Sequence, residues 1–155
     1  MQIRLAMVSA LIALGLACCV GQTAQDHSRD IAEIKALSAS RAKAFNEGNS
    51  NVIAEAFSET GVLMAPGAGS TTGRDAVRKY YQNIFDEYRC DLKSGYEEVK
   101  VSGDLAYGVG WAQVKLVPHD GGDTLVSSAK YINILQRQKD GTWLTTHDIW
   151  NSNEP

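Results

Sequence analysis

The most constraining feature of the sequence is an Asp140-Gly141 pair that separates two strand-like runs near its C-terminal end. Asp-Gly is the strongest short-range signal for a β-hairpin, because the two-residue turn requires positive φ angles. The runs at residues 124–137 and 143–152 are therefore predicted to pair antiparallel. The second run concentrates aromatic, acidic, amide and imidazole groups, so it is predicted to form one wall of any cavity.

The predicted hairpin register sorts the side chains of its two strands onto opposite faces of the sheet. One face carries three opposed pairs: Tyr131 with Trp150, Asn133 with Asp148, and Leu135 with Thr146. Aromatic walls with an amide and a carboxylate are the usual lining of a small-molecule pocket. A dimer interface or an aromatic-capped surface would have the same composition, and both alternatives stay open.

The other face of the hairpin has the composition of an ordinary core, with His147 as its odd member. Its opposed pairs are Lys130 with Asn151, Ile132 with Ile149, and Ile134 with His147. A catalytic histidine needs a partner within hydrogen-bonding reach. Asp148 is adjacent in sequence but points to the opposite face of a regular strand, which disfavours a His147–Asp148 dyad.

The chain before the hairpin changes from helical to strand periodicity. Apolar residues at helical spacing predict helices near residues 28–45, 52–57 and 73–88, with Ser28 and Ser50 as N-caps and a break at residues 60–61 before a short strand at 62–65. From residue 92 onward, alternation predicts four long antiparallel strands, one of them with Gly108 and Gly110 in its interior, which indicate a bend, a bulge or a close approach. Helices followed by a strand meander indicate the α+β class.

Residues 1–24 are predicted to be a signal peptide. Arg4 precedes an apolar run at residues 5–17, which is too short to span a bilayer, and small residues follow. The alternative is a lipoprotein signal that leaves Cys19 as a lipid anchor. Either reading predicts an exported protein, periplasmic or secreted, with a single domain at residues 25–155 and no transmembrane helix.

Composition excludes several classes of function. The formal net charge is −3 and no Lys/Arg run is present, so a nucleic-acid partner is not expected. His27, His119 and His147 are isolated from one another, and no Cys/His spacing indicates a metal or a cofactor. Cys90 is interpreted as a structural side chain, since no disulfide partner remains after processing.

Three local motifs resemble the nuclear transport factor two-like superfamily, also called SnoaL-like or ketosteroid-isomerase-like. They lie at residues 44–49, 66–77 and 143–152, and the last is most similar to an uncharacterised branch of small bacterial proteins. The resemblance implies a conical α+β half-barrel, with three N-terminal helices packed on a strongly curved, mainly antiparallel sheet around an internal pocket. It also implies a homodimer formed through the outer face of the sheet.

The resemblance argues against ketosteroid isomerase activity. Isomerases of this fold place an aspartate base directly before the proline that follows the first short strand, and the matching residue here is Ala65. Their oxyanion-hole tyrosine on the first helix matches Arg41 here. Alanine cannot move a proton. Arg41 either enters the cavity to meet an anionic ligand or is a solvated helix position.

The leading hypothesis is an exported protein that binds a small, mainly apolar molecule in its cone. Its predicted lining is Arg41, Trp111, Tyr131, Asn133, His147, Asp148 and Trp150. One alternative is an isomerase, dehydratase or cyclase that acts through Asp148 or His147, with Asp148 the better acid/base candidate. The other alternative is a non-catalytic dimeric interaction module.

Overall fold

The computed structural model describes residues 27–153, which form three helices and six strands. The helices are α1 (Ser28–Asn46), α2 (Ser50–Glu55) and α3 (Arg74–Glu87). The strands are β1 (Phe57–Met64), β2 (Thr71–Thr72), β3 (Tyr88–Ser102), β4 (Leu105–Pro118), β5 (Leu125–Arg137) and β6 (Trp143–Ser152). The predicted signal peptide and Cys19 lie outside the described residues.

The six strands form one mixed, open sheet in the order β2-β1-β6-β5-β4-β3. Strands β3 to β6 are an antiparallel meander, as predicted, whereas β1 pairs parallel with β6. The helices pack against this sheet, with α1 crossing β3. The predicted α+β architecture is confirmed.

The hairpin register agrees with the prediction over most of its length and departs from it near the turn. Tyr131 opposes Trp150 and Asn133 opposes Asp148, but Leu135 opposes Thr145 rather than Thr146. Thr146 is the extra residue of a β-bulge, and its hydroxyl donates to the Ile134 carbonyl over 3.1 Å. A bulge is a local insertion that alternation alone does not reveal.

The turn of this hairpin is held by the Asp140 side chain. Its Oδ1 accepts hydrogen bonds from the backbone N–H and the hydroxyl of Thr142, at 3.0 and 2.7 Å. Gly141 has a φ of +89°, which a residue with a Cβ adopts only at a cost. The two residues that predicted the turn therefore act by different means, one through hydrogen bonds and the other through backbone freedom.

The predicted helix caps were wrong by one residue at both sites. His27 occupies the cap position of α1 without a side-chain hydrogen bond, and Ser28 is already helical. Asn49 caps α2 by accepting from the Val52 N–H over 3.2 Å. Ser50 instead donates its hydroxyl to Gln82 on α3 over 2.8 Å, so it ties the two helices together.

The first strand is longer than predicted and includes the expected break. β1 begins at Phe57, and its pairing with β6 shifts register between Phe57 and Val62. A Cβ added at Gly61 would lie 3.0 Å from Cδ1 of Phe57, so the glycine leaves room for that buried ring. Gly61 bends the strand here rather than ending it.

The helices cover the face of the sheet that carries Asn133, Leu135 and Asp148, and this face forms the interior. The opposite face was predicted to be core, and that prediction was wrong. Ile132, Ile134 and Ile149 are 38%, 36% and 42% exposed, and His147 is exposed beside them. Alternation separates the two faces of a strand but does not say which one the helices cover.

Candidate functional site

A cavity of about 360 Å³ lies between the helices and the inner face of the sheet. Most of its wall is apolar, from α1, α3 and strands β3 to β6, with several hydroxyl groups among the apolar side chains. Representative lining residues are Phe45, Ile53, Tyr80, Tyr81, Ala112, Val114, Ser127 and Trp150. The structure therefore contains, between the helices and the sheet, a cavity large enough for a small molecule.

Five of the predicted pocket residues line this cavity. They are Arg41 from α1, Tyr131 and Asn133 from β5, and Asp148 and Trp150 from β6. Asn133 and Asp148 are only 2% and 5% exposed, because they oppose each other on adjacent central strands. The hairpin register brings the four strand residues together, and Arg41 reaches the same cavity from α1. Their role in binding a ligand stays a prediction.

A continuous chain of hydrogen bonds runs through the polar side of the cavity. The Tyr96 hydroxyl donates to Oδ1 of Asn133 over 2.6 Å, and Nδ2 of Asn133 donates to Oδ1 of Asp148 over 2.7 Å. Nη2 of Arg41 donates to Oδ2 of Asp148. Each hydrogen bond of the chain is donated in the direction of Asp148, and each carboxylate oxygen of Asp148 accepts one of them.

Arg41 and Asp148 form a largely buried ion pair. Their side chains are 15% and 7% exposed, and the guanidinium carbon of Arg41 lies 4.8 Å from the centre of the Phe57 ring. Burial disfavours the charge on Arg41, but the Asp148 carboxylate outweighs it, and the pKa of Arg41 is raised overall. Arg41 therefore stays charged, with Asp148 as its counter-ion.

Two buried polar atoms in the cavity wall have no hydrogen-bond partner among the described residues. They are Nε of Arg41 and the hydroxyl oxygen of Tyr131. Burial raises the pKa of Tyr131, so its hydroxyl keeps its proton at neutral pH. Unsatisfied buried donors are rare in folded proteins, because each costs the free energy of its lost hydration.

Two glycines of β4 leave space for the side chains of Tyr96 and Tyr131. A Cβ added at Gly108 would overlap the Tyr96 ring, and one at Gly110 would overlap the end of the Tyr131 side chain. The two tyrosine rings lie 5.6 Å apart. The predicted close approach at these glycines is thus observed.

The structure places two of the predicted pocket residues outside the cavity. Trp111 is 40% exposed, because β4 turns Ala112 and Val114 inward and the alternate residues, Trp111 and Gln113, outward. His147 shares that outer face, and its Nδ1 lies 3.2 Å from the Thr146 hydroxyl. Neither side chain reaches the polar groups around Asp148, so the prediction that they share its cavity is corrected here.

The remaining candidate positions, Ala65 and Cys90, carry no ionised side chain. Ala65 directly follows β1 and precedes Pro66, which lines the cavity. Burial raises the pKa of Cys90 to about 11, which favours the neutral thiol. Within residues 27–153, no three His, Cys, Asp or Glu side chains are grouped closely enough to hold a metal ion. None of the described helices is long and apolar enough to cross a membrane.

Sequence reasoning missed Tyr81 and Ser38 as cavity residues and Tyr96 as the hydrogen-bond partner of Asn133. Tyr81 and Ser38 line the cavity, and Tyr96 begins the hydrogen-bond chain. The signal for Tyr96 was present in Gly108 and Gly110, since a strand position without a side chain leaves space for a large neighbour. Tyr81 belongs to the clear apolar stripe of α3, which does not distinguish core from cavity wall.

Known structures with the same fold cover most of the chain. A ketosteroid isomerase-like protein from Erwinia carotovora has a TM-score of 0.74 at 22% identity, covering 81% of this chain and 98% of its own. A nuclear transport factor two-like protein with a cystatin-like fold from Novosphingobium aromaticivorans has a TM-score of 0.70 at 19% identity, covering 82% and 84%. At these identities the likeness establishes the fold alone.

A third similar structure was solved as a complex. The protein from Catenulispora acidiphila, solved in complex with S-DNPA, has a TM-score of 0.67 at 21% identity, covering 81% of this chain and 95% of its own. Among curated proteins, none matches the chain in sequence. The model of the SnoaL-like domain matches residues 26–147, which is most of the sequence. The chain therefore belongs to the SnoaL-like family.

Proposed function

We propose that this protein binds a small, mainly apolar molecule in its internal cavity and does not transform it. The observation that carries the proposal is the cavity of about 360 Å³, whose apolar wall converges on one cluster of polar groups. Volumes above roughly 300 Å³ with a few placed polar groups are typical of ligand pockets. A sealed interaction module would instead fill this space with its own side chains.

The hydrogen bonds of Asp148 and the position of His147 favour binding over catalysis. A carboxylate that acts as a general base takes up the substrate proton, and a buried cationic partner opposes that protonation. Both oxygens of Asp148 already accept hydrogen bonds, from Asn133 and Arg41. His147 faces away from the cavity. An isomerase, dehydratase or cyclase acting through Asp148 would first have to break a buried ion pair.

One neighbour of the same fold was solved as a complex. The Catenulispora acidiphila protein was solved in complex with S-DNPA, and the match covers 95% of that chain. A bound ligand in this protein is compatible with the shared fold. The identity of that ligand is not carried over.

We further propose that the protein is exported and forms a homodimer. Export is supported by the charged and apolar pattern of residues 1–24, with Cys19 as the alternative lipidation site. Dimerisation is supported by the apolar outer face of the sheet, where Trp111, Ile132 and Ile149 are each about two-fifths exposed.

Native mass spectrometry of the protein purified gently from its own host tests these proposals together. The expected result is a dimer in which each chain has lost its N-terminal segment and carries a reproducible small-molecule mass. A fatty-acylated mass beginning at Cys19 would favour the lipoprotein alternative. Clean, unliganded dimers in repeated preparations would instead favour the interaction-module alternative.

A matched pair of variants assigns the bound mass to the cavity. Ala112 and Gln113 are neighbours on β4, but only Ala112 lines the cavity, whereas Gln113 is exposed. Ala112→Phe should fill the cavity and abolish the bound mass. Gln113→Phe adds the same ring on the outside and should leave the mass unchanged. Retention of the ligand by a folded Ala112→Phe variant would contradict binding at this site.

A further inference from the structure

We propose that the ligand of this protein has a long, unbranched alkyl chain, and that the chain leaves the cavity over an apolar row at the open end of the sheet. This row, here called the exit row, consists of Cys90 on β3, Leu116 on β4 and Leu125 on β5. The proposal rests on the proposed binding function and names its ligand class. It concerns the end of the cavity that lies away from Arg41 and Asp148.

The exit row is continuous with the wall of the cavity. The strand register pairs Cys90 with Leu116 and Leu116 with Leu125, so the three side chains lie on one face of the sheet. Leu116 lines the cavity, which makes this face the inner one. Ser127, two residues from Leu125 on the same strand, also lines it. The exit row therefore extends the inner surface of the cavity toward the end of the sheet.

The exit row is covered at its β3 end and open at its β5 end. Cys90 is half-buried and packs against the core cluster that contains Phe85 of α3, whereas Leu125 is 52% exposed. Strand β6 ends at Ser152, which opposes Ala129, so Leu125 lies beyond the last residue of that neighbouring strand. An apolar chain can therefore reach solvent beside β5 while it stays in contact with the exit row.

The two faces of the sheet differ in chemistry at this end. The adjacent row, Asp91, Lys115 and Val126, pairs in the same way but points to the outer face, and two of its three side chains are charged. The exit row has no charged side chain. Half-exposed apolar surface that continues an internal cavity is complementary to an apolar part of the ligand, because a charged part would lose hydration there without gaining a partner.

The shape of the cavity favours a chain over a compact ring system. Asn133 and Ser127 both line the cavity and are six residues apart on β5, which corresponds to about 20 Å along the strand. A volume of about 360 Å³ over that length describes an elongated space. With Leu125 included, the inner surface is about 26 Å long. A long alkyl chain would use the whole of this surface, whereas a compact molecule would leave the exit row empty.

Alkylphosphocholines of increasing chain length test the proposal, with naphthalene as a compact reference. Octyl-, dodecyl- and hexadecylphosphocholine are titrated below their critical micelle concentrations, and tryptophan fluorescence reports binding because Trp150 lines the cavity. The zwitterionic head stays in solvent, so each chain must cross the exit row. Affinity should rise by about two- to fourfold per methylene, with the lower factor where the chain is half-exposed. A total gain of less than about tenfold from octyl to hexadecyl would overturn the proposal.

A matched pair of charge insertions locates the chain. Leu125→Asp makes the exit row polar, so it should weaken hexadecylphosphocholine at least about tenfold and leave naphthalene unchanged. Val126→Asp adds the same charge one residue away on the outer face and should change neither affinity. Leu125→Met keeps the row apolar and should bind both probes as the wild type does. If Leu125→Asp weakens both probes or neither, or if Val126→Asp has the same effect, the exit row is not the path of the chain.

The reference compound separates this proposal from the binding function on which it rests. Naphthalene reports the enclosed part of the cavity alone. Binding of naphthalene without binding of the long chains would refute the exit row and leave the binding function standing. If neither naphthalene nor any of the three chains binds the wild-type protein, the proposed binding of a mainly apolar molecule fails as well.

Discussion

Arg41 and Asp148 are two charges that the fold removes almost completely from water. Such burial is costly, and the attraction between the two ions repays it only when the remaining polar atoms are also bonded. Asp148 meets this condition through Asn133, whereas Arg41 retains an unpartnered Nε. The free energy of each residue therefore depends strongly on whether the other is present.

We predict strong coupling between Arg41 and Asp148 in a double-mutant cycle. Arg41→Met and Asp148→Leu should each lower the free energy of unfolding by about 3 kcal/mol or more, because each leaves a buried charge without its partner. The double variant should lose far less than the sum of the two single losses. Urea unfolding of the four proteins measures the coupling.

The exposed pair Arg78 and Asp75 on α3 is the control for this cycle. Their side chains are 39% and 92% exposed, so their coupling should be below about 1 kcal/mol. Additive losses at Arg41 and Asp148 would show that the two charges are solvated independently, contrary to the buried geometry.

At the residue scale, the sequence predicted cavity residues only where a register was available. Asp140-Gly141 fixes how β5 meets β6, so Tyr131, Asn133, Asp148 and Trp150 follow from alternation. Trp111 lies on β4, which is joined to β5 by a loop without a comparable turn signal, so its face could not be deduced. The two interpretations of Arg41 could not be separated, because helical periodicity does not tell how far a helix residue lies from the sheet.

At the scale of elements, Asp30 ties α1 to the last hairpin. Its Oδ2 lies 2.6 Å from Nη2 of Arg137 on β5, and its Oδ1 accepts from the indole of Trp143 on β6 over 3.4 Å. The Arg137 guanidinium also lies 4.6 Å from the centre of the Trp143 ring. Hydrogen bonding from Arg137, against the opposing effect of burial, lowers the pKa of Asp30 from 3.8 to about 2.

We predict that Asp30 stabilises the fold at neutral pH and ceases to do so in acid. A carboxylate with a lowered pKa in the folded state contributes its full stability above its unfolded pKa, near 4, and loses it as the pH falls toward 2. The contribution is on the order of 1 kcal/mol after solvent screening. The difference in urea midpoint between wild type and Asp30→Asn should therefore shrink from pH 5 to pH 2.

Asp104 provides the comparison for this titration. It also pairs with Arg137, at 3.3 Å, but its side chain is 76% exposed. Asp104→Asn should change the midpoint little at any pH. A difference for Asp30→Asn that persists undiminished at pH 2 would rule out the ionised carboxylate as the source of the stability.

Except for the two-residue strand β2, which was missed, the elements were predictable in type, and their ends were not. Apolar spacing identified all three helices, because each buries one stripe in the interior. The prediction made β1 too short, because Gly61 has the local pattern of a strand break. The parallel partner that keeps β1 extended is β6, which lies far along the sequence. Long-range pairing of this kind overrides local propensity.

At the scale of the whole molecule, the outer face of the sheet is an apolar surface without cover among the described residues. Tyr107 and Ile134 join Trp111, Ile132 and Ile149 on neighbouring strands, all between 36% and 42% exposed. Contiguous exposed apolar side chains usually mark a contact surface. The family resemblance suggested this face for dimerisation.

We predict that Ile132→Glu shifts the protein from dimer to monomer. Ile132 opposes Ile149 near the centre of the surface, so a carboxylate there would be buried without a partner in a dimer. Analytical ultracentrifugation should show an increase in the dissociation constant of at least about a hundredfold. Ala76→Glu, an exposed position on α3, should leave the dimer intact. A wild-type protein that sediments as a monomer at all concentrations would refute the proposal.

The parallel pairing of β1 with β6 also determines when the molecule can become complete. A ribosome delivers β1 early and β6 last, so Leu63 must wait for Asp148 before its strand acquires a neighbour on that side. The meander can form progressively, but β6 is the strand that joins β1 to it, and β6 also supplies three residues of the cavity wall. A nascent chain therefore cannot complete the native sheet early, and the edge of β1 opposite β2 stays without its partner until β6 has been synthesised.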